Sequence, residues 1–174
     1  MMTTNGLPIR AAFTLVEILI VVLVLAIAAA IVIPNIGSAN DSQASSAAAV
    51  LQSDLEVARS MAMTTQQPHS VVFSPDRLTY KVVANYAGVA YASAVAVNHP
   101  VLKGQPYEVR LNGLSGTAGV SVTSVAFGGQ TYVTFQSLGD PVAAGSVVLS
   151  AGNCVVTVSV EGLTGIVSLN RTGS

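Results

Sequence analysis

Residues 13–33, FTLVEILIVVLVLAIAAAIVI, carry two polar side chains, Thr14 and Glu17, and Pro34 follows them. As a helix these 21 residues rise about 32 Å, close to the ~30 Å hydrocarbon core of a bilayer. So apolar a run is long enough to cross a membrane. Glu17 makes the segment unusual, because an acid at bilayer depth costs roughly 2.5–3.5 kcal/mol on insertion scales, less near an end.

The run divides the chain. Residues 1–12 form a short leader whose basic side chain is Arg10. After the run, no Lys or Arg occurs until Arg59, so the positive charge precedes the apolar segment. This bias keeps the N-terminus cytoplasmic and exports the remainder. Residues 35–65 read as an amphipathic helix that continues the apolar one, Pro34 marking a kink. Residues 66–174 are rich in Val, Thr, Ser and Gly and read as an exported β-rich head. Only 9% of the 174 residues are charged, and seven bases nearly cancel eight acids. That balance gives no electrostatic case for binding nucleic acid or anionic lipid. The one cysteine, Cys154, excludes an intrachain disulfide and cannot alone hold zinc.

Three fates of the apolar segment compete. Small-residue triplets at Ala26-Ile27-Ala28 and Ala28-Ala29-Ala30 suit an ordinary signal peptidase. An uncleaved anchor is the second fate. The third gives Glu17 a partner, since neither of the others gains from its cost.

Ala12 followed by FTLVE, the unbroken apolar run and then Pro34 resembles the start of type IV pilin-like proteins. The resemblance implies that a prepilin peptidase cuts between Ala12 and Phe13 on the cytoplasmic side. It then methylates the new amine of Phe13 and leaves the helix attached. Glu17 becomes the fifth mature residue and Pro34 the twenty-second, where the family carries Glu and Pro. The residue before the cut is usually Gly and here is Ala12. In the family, the Glu pairs with the N-terminal amine of a neighbouring subunit as helices bundle into a filament. Pairing relieves the cost of an isolated carboxylate in a low-dielectric setting, which favours one docking register. The alternative is local, with Glu17 pairing with its own Phe13 amine or complementing the helix dipole.

In residues 38–64, Ala44, Ala47, Ala48, Leu51, Leu55, Ala58 and Ala62 recur at three- and four-residue steps. They form one apolar stripe, with Asp54, Glu56 and Arg59 off it. The stripe is expected to hold the helix against the head; a partner-binding face is the alternative. Strands are expected at HSVVF and LTYKVV around Pro75-Asp76, then at YEVRL, GVSVTSVAF, TYVTFQSL, GSVVL, CVVTVSVE and GIVSL. In Cys154–Glu161, Cys154, Val156, Val158 and Val160 alternate with Val155, Thr157, Ser159 and Glu161, which places the cysteine in the core.

The C-terminal segments VTFQSLGDP, GSVVL and CVVTVSVEGLTGIVSL resemble the ending of GspH/FimT-type pseudopilins, and LQSDLEVARSMAM resembles their helix. Residues 84–118 match no family segment. The resemblance implies an α+β fold, a long N-terminal transmembrane helix packed on an antiparallel β-sandwich-like head. It also implies a minor pseudopilin of a type II secretion system, or a minor pilin of a type IV pilus. Its implied partners are other pilin-like subunits, the prepilin peptidase and an inner-membrane assembly platform. The implied place is the inner membrane, single-pass, with a periplasmic head.

No catalytic constellation, cofactor motif or metal spacing is visible, so an enzyme is not expected. His69 and His99 each neighbour a Pro and suit surface or turn roles. Asp140, in Gly139-Asp140-Pro141, reads as turn chemistry. Asn170-Arg171-Thr172 fits the glycosylation pattern, a match that three residues often make by chance. Some FimT-like members take up DNA through C-terminal basic residues, but here Arg171 stands alone, and one Arg neutralises about one phosphate. A membrane-tethered or secreted β binding module remains the other functional class. It would work without its helix and without Glu17.

Overall fold

The computed structural model describes residues 13–32 and 36–172. The chain divides into two compact units between Ile36 and Gly37.

The first unit holds helix α1, Leu15–Val32. Thr14 caps it: its Oγ1 accepts the Glu17 N–H at 3.2 Å. Thr14 and Glu17 thus take the N-cap and N3 places of a capping box. The side chains from Leu15 to Ala29 are exposed, leaving the helix apolar on every side. Among the described residues no helix is long and apolar enough to cross a membrane. The 18 residues of α1 rise about 27 Å, a little under the hydrocarbon thickness. Ile33 and Pro34 lie outside the described residues, as does residues 1–12, so the expected kink and leader are not described.

The second unit is the head with its helix, α2, Ile36–Thr65. All seven residues of the stripe, from Ala44 to Ala62, are fully buried, so the stripe is core. At the C-terminal end of α2 Gln66 Nε2 donates to the orphan carbonyl of Met63 at 2.7 Å, and two threonine hydroxyls bond back to carbonyls one turn earlier. Thr64 Oγ1 donates to Ser60 O at 2.8 Å, and Thr65 Oγ1 to Met61 O at 2.7 Å. Gln66 then leaves the helix in the left-handed region, φ 55°.

Among the described residues eight antiparallel strands follow: β1 His69–Phe73, β2 Thr79–Ala84, β3 Glu108–Arg110, β4 Ser121–Phe127, β5 Tyr132–Phe135, β6 Gly145–Ala151, β7 Cys154–Val160 and β8 Val167–Thr172. They make two four-stranded sheets, ordered β3-β2-β1-β5 and β4-β6-β7-β8. One core joins the α2 stripe to Val71, Tyr80, Val82 and Phe135 of the first sheet and Val147, Leu149, Val156 and Val158 of the second. The fold is therefore the expected α+β arrangement, a helix packed on antiparallel sheets.

The strands match the sequence expectations with local differences. The expected strand YEVRL shortens to β3 because Leu111–Gly113 turn as a 3-10 segment. TYVTFQSL stops at Phe135, where Gln136 N–H donates to Asp140 O at 2.8 Å and closes a turn. In β7 the predicted alternation holds, with Cys154, Val156, Val158 and Val160 buried. Strand β1 is buried along its whole length. Its second face is covered by part of the unmatched stretch: Ala94, Tyr86 and Tyr91 pack on Val72, Val83 and Tyr132. His69 opens β1 at 3% exposure, which corrects its expected surface or turn role. Pairing with Ala84 on one side and Phe135 on the other draws it inward. His99 does serve a turn, its Nδ1 accepting the N–H groups of Val101 and Leu102 at 3.1 and 3.2 Å.

Strand β4 carries a register shift between Val122 and Ser124. A bulge there takes Thr123 out of the regular ladder, and its carbonyl accepts Arg77 Nη1 at 2.9 Å. Gly145 is required by close approach: a Cβ there would meet Ala126 O at 2.1 Å and Phe127 Cδ1 at 2.4 Å.

Candidate functional site

Of the residues singled out from sequence, Phe13 and Glu17 are described, whereas Ala12 and Pro34 lie outside the described residues. Phe13 precedes the helix and is exposed. Glu17 sits in the first turn of α1, where its charge complements the helix N-terminus. The capping box is half made: Thr14 accepts from Glu17 N–H, but among the described residues the Glu17 carboxylate accepts no hydrogen bond. An acid on an apolar helix with no local acceptor role is the main chemical feature of this unit.

In the second unit, two of the residues set off the stripe, Asp54 and Arg59, fasten α2 to the head. Asp54 receives two phenolic hydroxyls, Tyr80 at 2.5 Å on Oδ2 and Tyr107 at 2.8 Å on Oδ1. Burial, and then the Asp54 charge, hold the Tyr80 hydroxyl well above its ordinary range of ionisation. Burial and the Asp54 hydrogen bond push Tyr107 up as well. Both tyrosines therefore stay donors. Arg59 Nε donates to Gly139 O at 2.9 Å, and Gln52 Nε2 to Val167 O at 3.1 Å. Gln43 Oε1 accepts the Gly119 N–H at 2.8 Å. Arg171, the lone base of the C-terminal region, pairs with Asp41 at the start of α2. The helical period gives the stripe, but these partners lie 26 to 130 positions away. Nothing local in the sequence signals them, apart from polar residues bordering an apolar stripe.

Cys154 is buried and free. Among the described residues no group of three His, Cys, Asp or Glu could hold a metal ion. His99 stacks on Tyr107, ring centroids 4.4 Å apart, and its Nδ1 is already occupied as an acceptor.

An apolar helix with one acid in its first turn, followed by an amphipathic helix packed on antiparallel sheets, defines a pilin-like protein. The prokaryotic N-terminal methylation motif matches residues 8–33, which take in Ala12, Phe13 and Glu17. The model of type II transport protein GspH matches residues 47–172, which take in most of α2 and every strand. The chain belongs to the type II transport protein GspH family. Its fold is similar to that of the minor pseudopilin EpsH from the type 2 secretion system of Vibrio cholerae. There the TM-score is 0.52 at 10% identity, over 75% of this chain and 97% of that one. The type IV minor pilin FimU of Pseudomonas aeruginosa gives a TM-score of 0.51 at 15% identity, over 74% and 89%. At these identities the two likenesses speak to fold. No curated protein matches the sequence.

Proposed function

We propose that prepilin peptidase processes this chain between Ala12 and Phe13, that the Phe13 amine is methylated, and that the mature chain joins a secretion pseudopilus through α1. The apolar segment holds it in the inner membrane, N-terminus cytoplasmic, until an assembly platform passes it into the filament. The head lies on the extracytoplasmic side. Glu17 receives the methylated amine of a neighbouring subunit. Methylation keeps the positive charge, so the contact joins two opposite charges where water is scarce.

The observation that carries this reading is the placement of Glu17. It lies at the N3 position of an otherwise apolar helix whose side chains from Leu15 to Ala29 are exposed, inside a matched methylation motif. A helix apolar on all sides is stable only when lipid or other helices surround it. One acid per helix then selects which neighbours fit and in what register.

Two measurements test the reading. The intact mass and N-terminal sequence of protein from its own cells should show a start at Phe13 with one added methyl. A start near Ala29 or Ile31 would mean that an ordinary signal peptidase removes the segment, and the assembly role would be wrong. Glu17→Ala should leave the head folded while depleting the chain from filaments. Finding the variant in filaments at the normal level would remove the role given to Glu17.

A further inference from the structure

The turn between β5 and β6 and the turn between β7 and β8 meet beside the C-terminal half of α2. Turn tips are ordinarily polar, yet these present Leu138 and Leu163, 83% and 88% exposed. Between them lies a depression of about 490 Å³ lined by Arg59, Leu138, Asp140, Gly162, Leu163 and Thr164.

The walls are fixed. Gly139 N–H donates to Gln136 O at 2.8 Å and Gly165 N–H to Glu161 O at 3.0 Å, closing the two turns. The turns also interlock. Gly165 has φ +66°, and a Cβ on it would meet Gly139 O at 2.3 Å. That same carbonyl accepts Arg59 Nε, which ties both turns to α2. Held backbones reduce the ordering cost of binding.

The charges are unevenly engaged. Asp140 Oδ2 accepts from Gln136 Nε2 at 3.1 Å and Glu161 Oε2 from Thr164 Oγ1 at 2.5 Å, so each acid is held by a neutral donor within its own turn. The Arg59 guanidinium uses Nε on Gly139, and among the described residues nothing accepts from its terminal nitrogens. The complement of this surface is thus a carboxylate flanked by an apolar side chain. Arg, set among apolar groups, is also a residue type on which binding energy concentrates.

We propose that this depression docks a neighbouring filament subunit of different sequence, which places an apolar side chain between Leu138 and Leu163 and a carboxylate on Arg59. The assignment rests on the reading of the chain as a filament subunit. A second copy of this chain is a poorer fit. Among the described residues of the head, exposed large apolar side chains within two positions of an acid are Leu138 and Val142, around Asp140, and Leu163, near Glu161. Leu138, Leu163 and Asp140 line this same depression, and the acid nearest Val142 is that same Asp140. A second copy could use them only by two-fold pairing, which closes on itself and cannot propagate along a filament.

The test uses the full chain in the cells that make it. A photo-crosslinking amino acid replaces Leu138, Leu163 or, as a control elsewhere on the head, Val95, which is 80% exposed. Positions 138 and 163 should crosslink to another pilin-like subunit, at a segment where mass spectrometry finds a carboxylate beside an apolar residue. Arg59→Gln keeps an N–H able to reach Gly139 O and should cut the yield about tenfold or more. Crosslinks to a second copy, crosslinks no stronger than from position 95, or indifference to Arg59→Gln would each overturn the assignment. Processing at Phe13 and dependence on Glu17 are scored in the same cells. If both are normal and the crosslinks fail, this docking site alone is wrong. An unprocessed chain outside any filament overturns both readings.

Discussion

Asp54 is the polar group on which the seating of α2 most depends, and Asp54→Ala tests it. Tyr80 is fully buried and Tyr107 is 2% exposed, and the hydroxyls of both end on this carboxylate. Truncation removes two hydrogen bonds to a charged group and strands two buried hydroxyls, each costing about 1–3 kcal/mol. Asp54 is itself half-buried, and solvent screening pulls the sum below the arithmetic maximum, to about 3–4 kcal/mol. That is a large share of the ~5–15 kcal/mol by which a domain is stable. Urea unfolding of the full chain in detergent micelles, followed by circular dichroism, reads the change in midpoint. Asp54→Asn keeps an acceptor oxygen and should lose about half as much. Tyr80→Phe and Tyr107→Phe remove the donors singly. Each should show coupling to Asp54→Ala of about 1 kcal/mol or more in a double-mutant cycle. A loss under about 0.5 kcal/mol for Asp54→Ala, the scale of an ordinary surface change, would refute the argument. It would mean that the alanine-rich stripe alone seats the helix.

Three further outcomes follow from the same structure. The raised ionisation of Tyr80 and Tyr107 means that the unfolded chain loses these protons first, near the ordinary tyrosine value of 10. Stability is then fully present below about pH 10 and falls above it, by up to about 1.4 kcal/mol per unit for each tyrosine; unfolding at pH 9 and 11 checks this, and Tyr80→Phe should flatten the slope. Gly145→Ala forces a Cβ against Ala126 O and should destabilise by more than about 2 kcal/mol, read as a lowered Tm; an unchanged Tm would mean that β6 shifts freely against β4. Arg171→Ala removes an ion pair with both side chains partly exposed and should cost at most about 1 kcal/mol, the more so at low salt; a larger loss in high salt would mark a packing role instead.

Local periodicity reveals what is local. The α2 stripe and the alternation in β7 are plain from sequence because each follows from one repeat and one buried face. Glu17 stands out for a different reason, since its cost inside an apolar run demands an explanation. Asp54 and Arg59 read only as lying off the stripe, because the period says nothing of their partners, which lie on β2, on β3's approach and in the β5–β6 turn. His69 reads as a surface residue because its neighbour is a proline, whereas strand pairing on both sides buries it. Residues 84–118 match no family segment, and YEVRL is the one strand expected among them. The part that packs Tyr86, Tyr91 and Ala94 on the outer face of the first sheet does so with side chains at irregular spacing.

The order of the chain has a consequence for how the head comes into being. Synthesis runs from the N-terminus, and α2 is finished before any strand exists. Its stripe is completed by β7 and by Val167 of β8, the last strand, whose backbone also receives Gln52. More than a hundred residues of translation therefore separate this helix from its final contacts. Five of the seven stripe positions are alanine and two are leucine. An alanine surface waits in water at little cost, because each methyl offers only a small area for mistaken association. A leucine-rich stripe would grip the finished head harder, but it would be sticky throughout the interval before the last strand arrives.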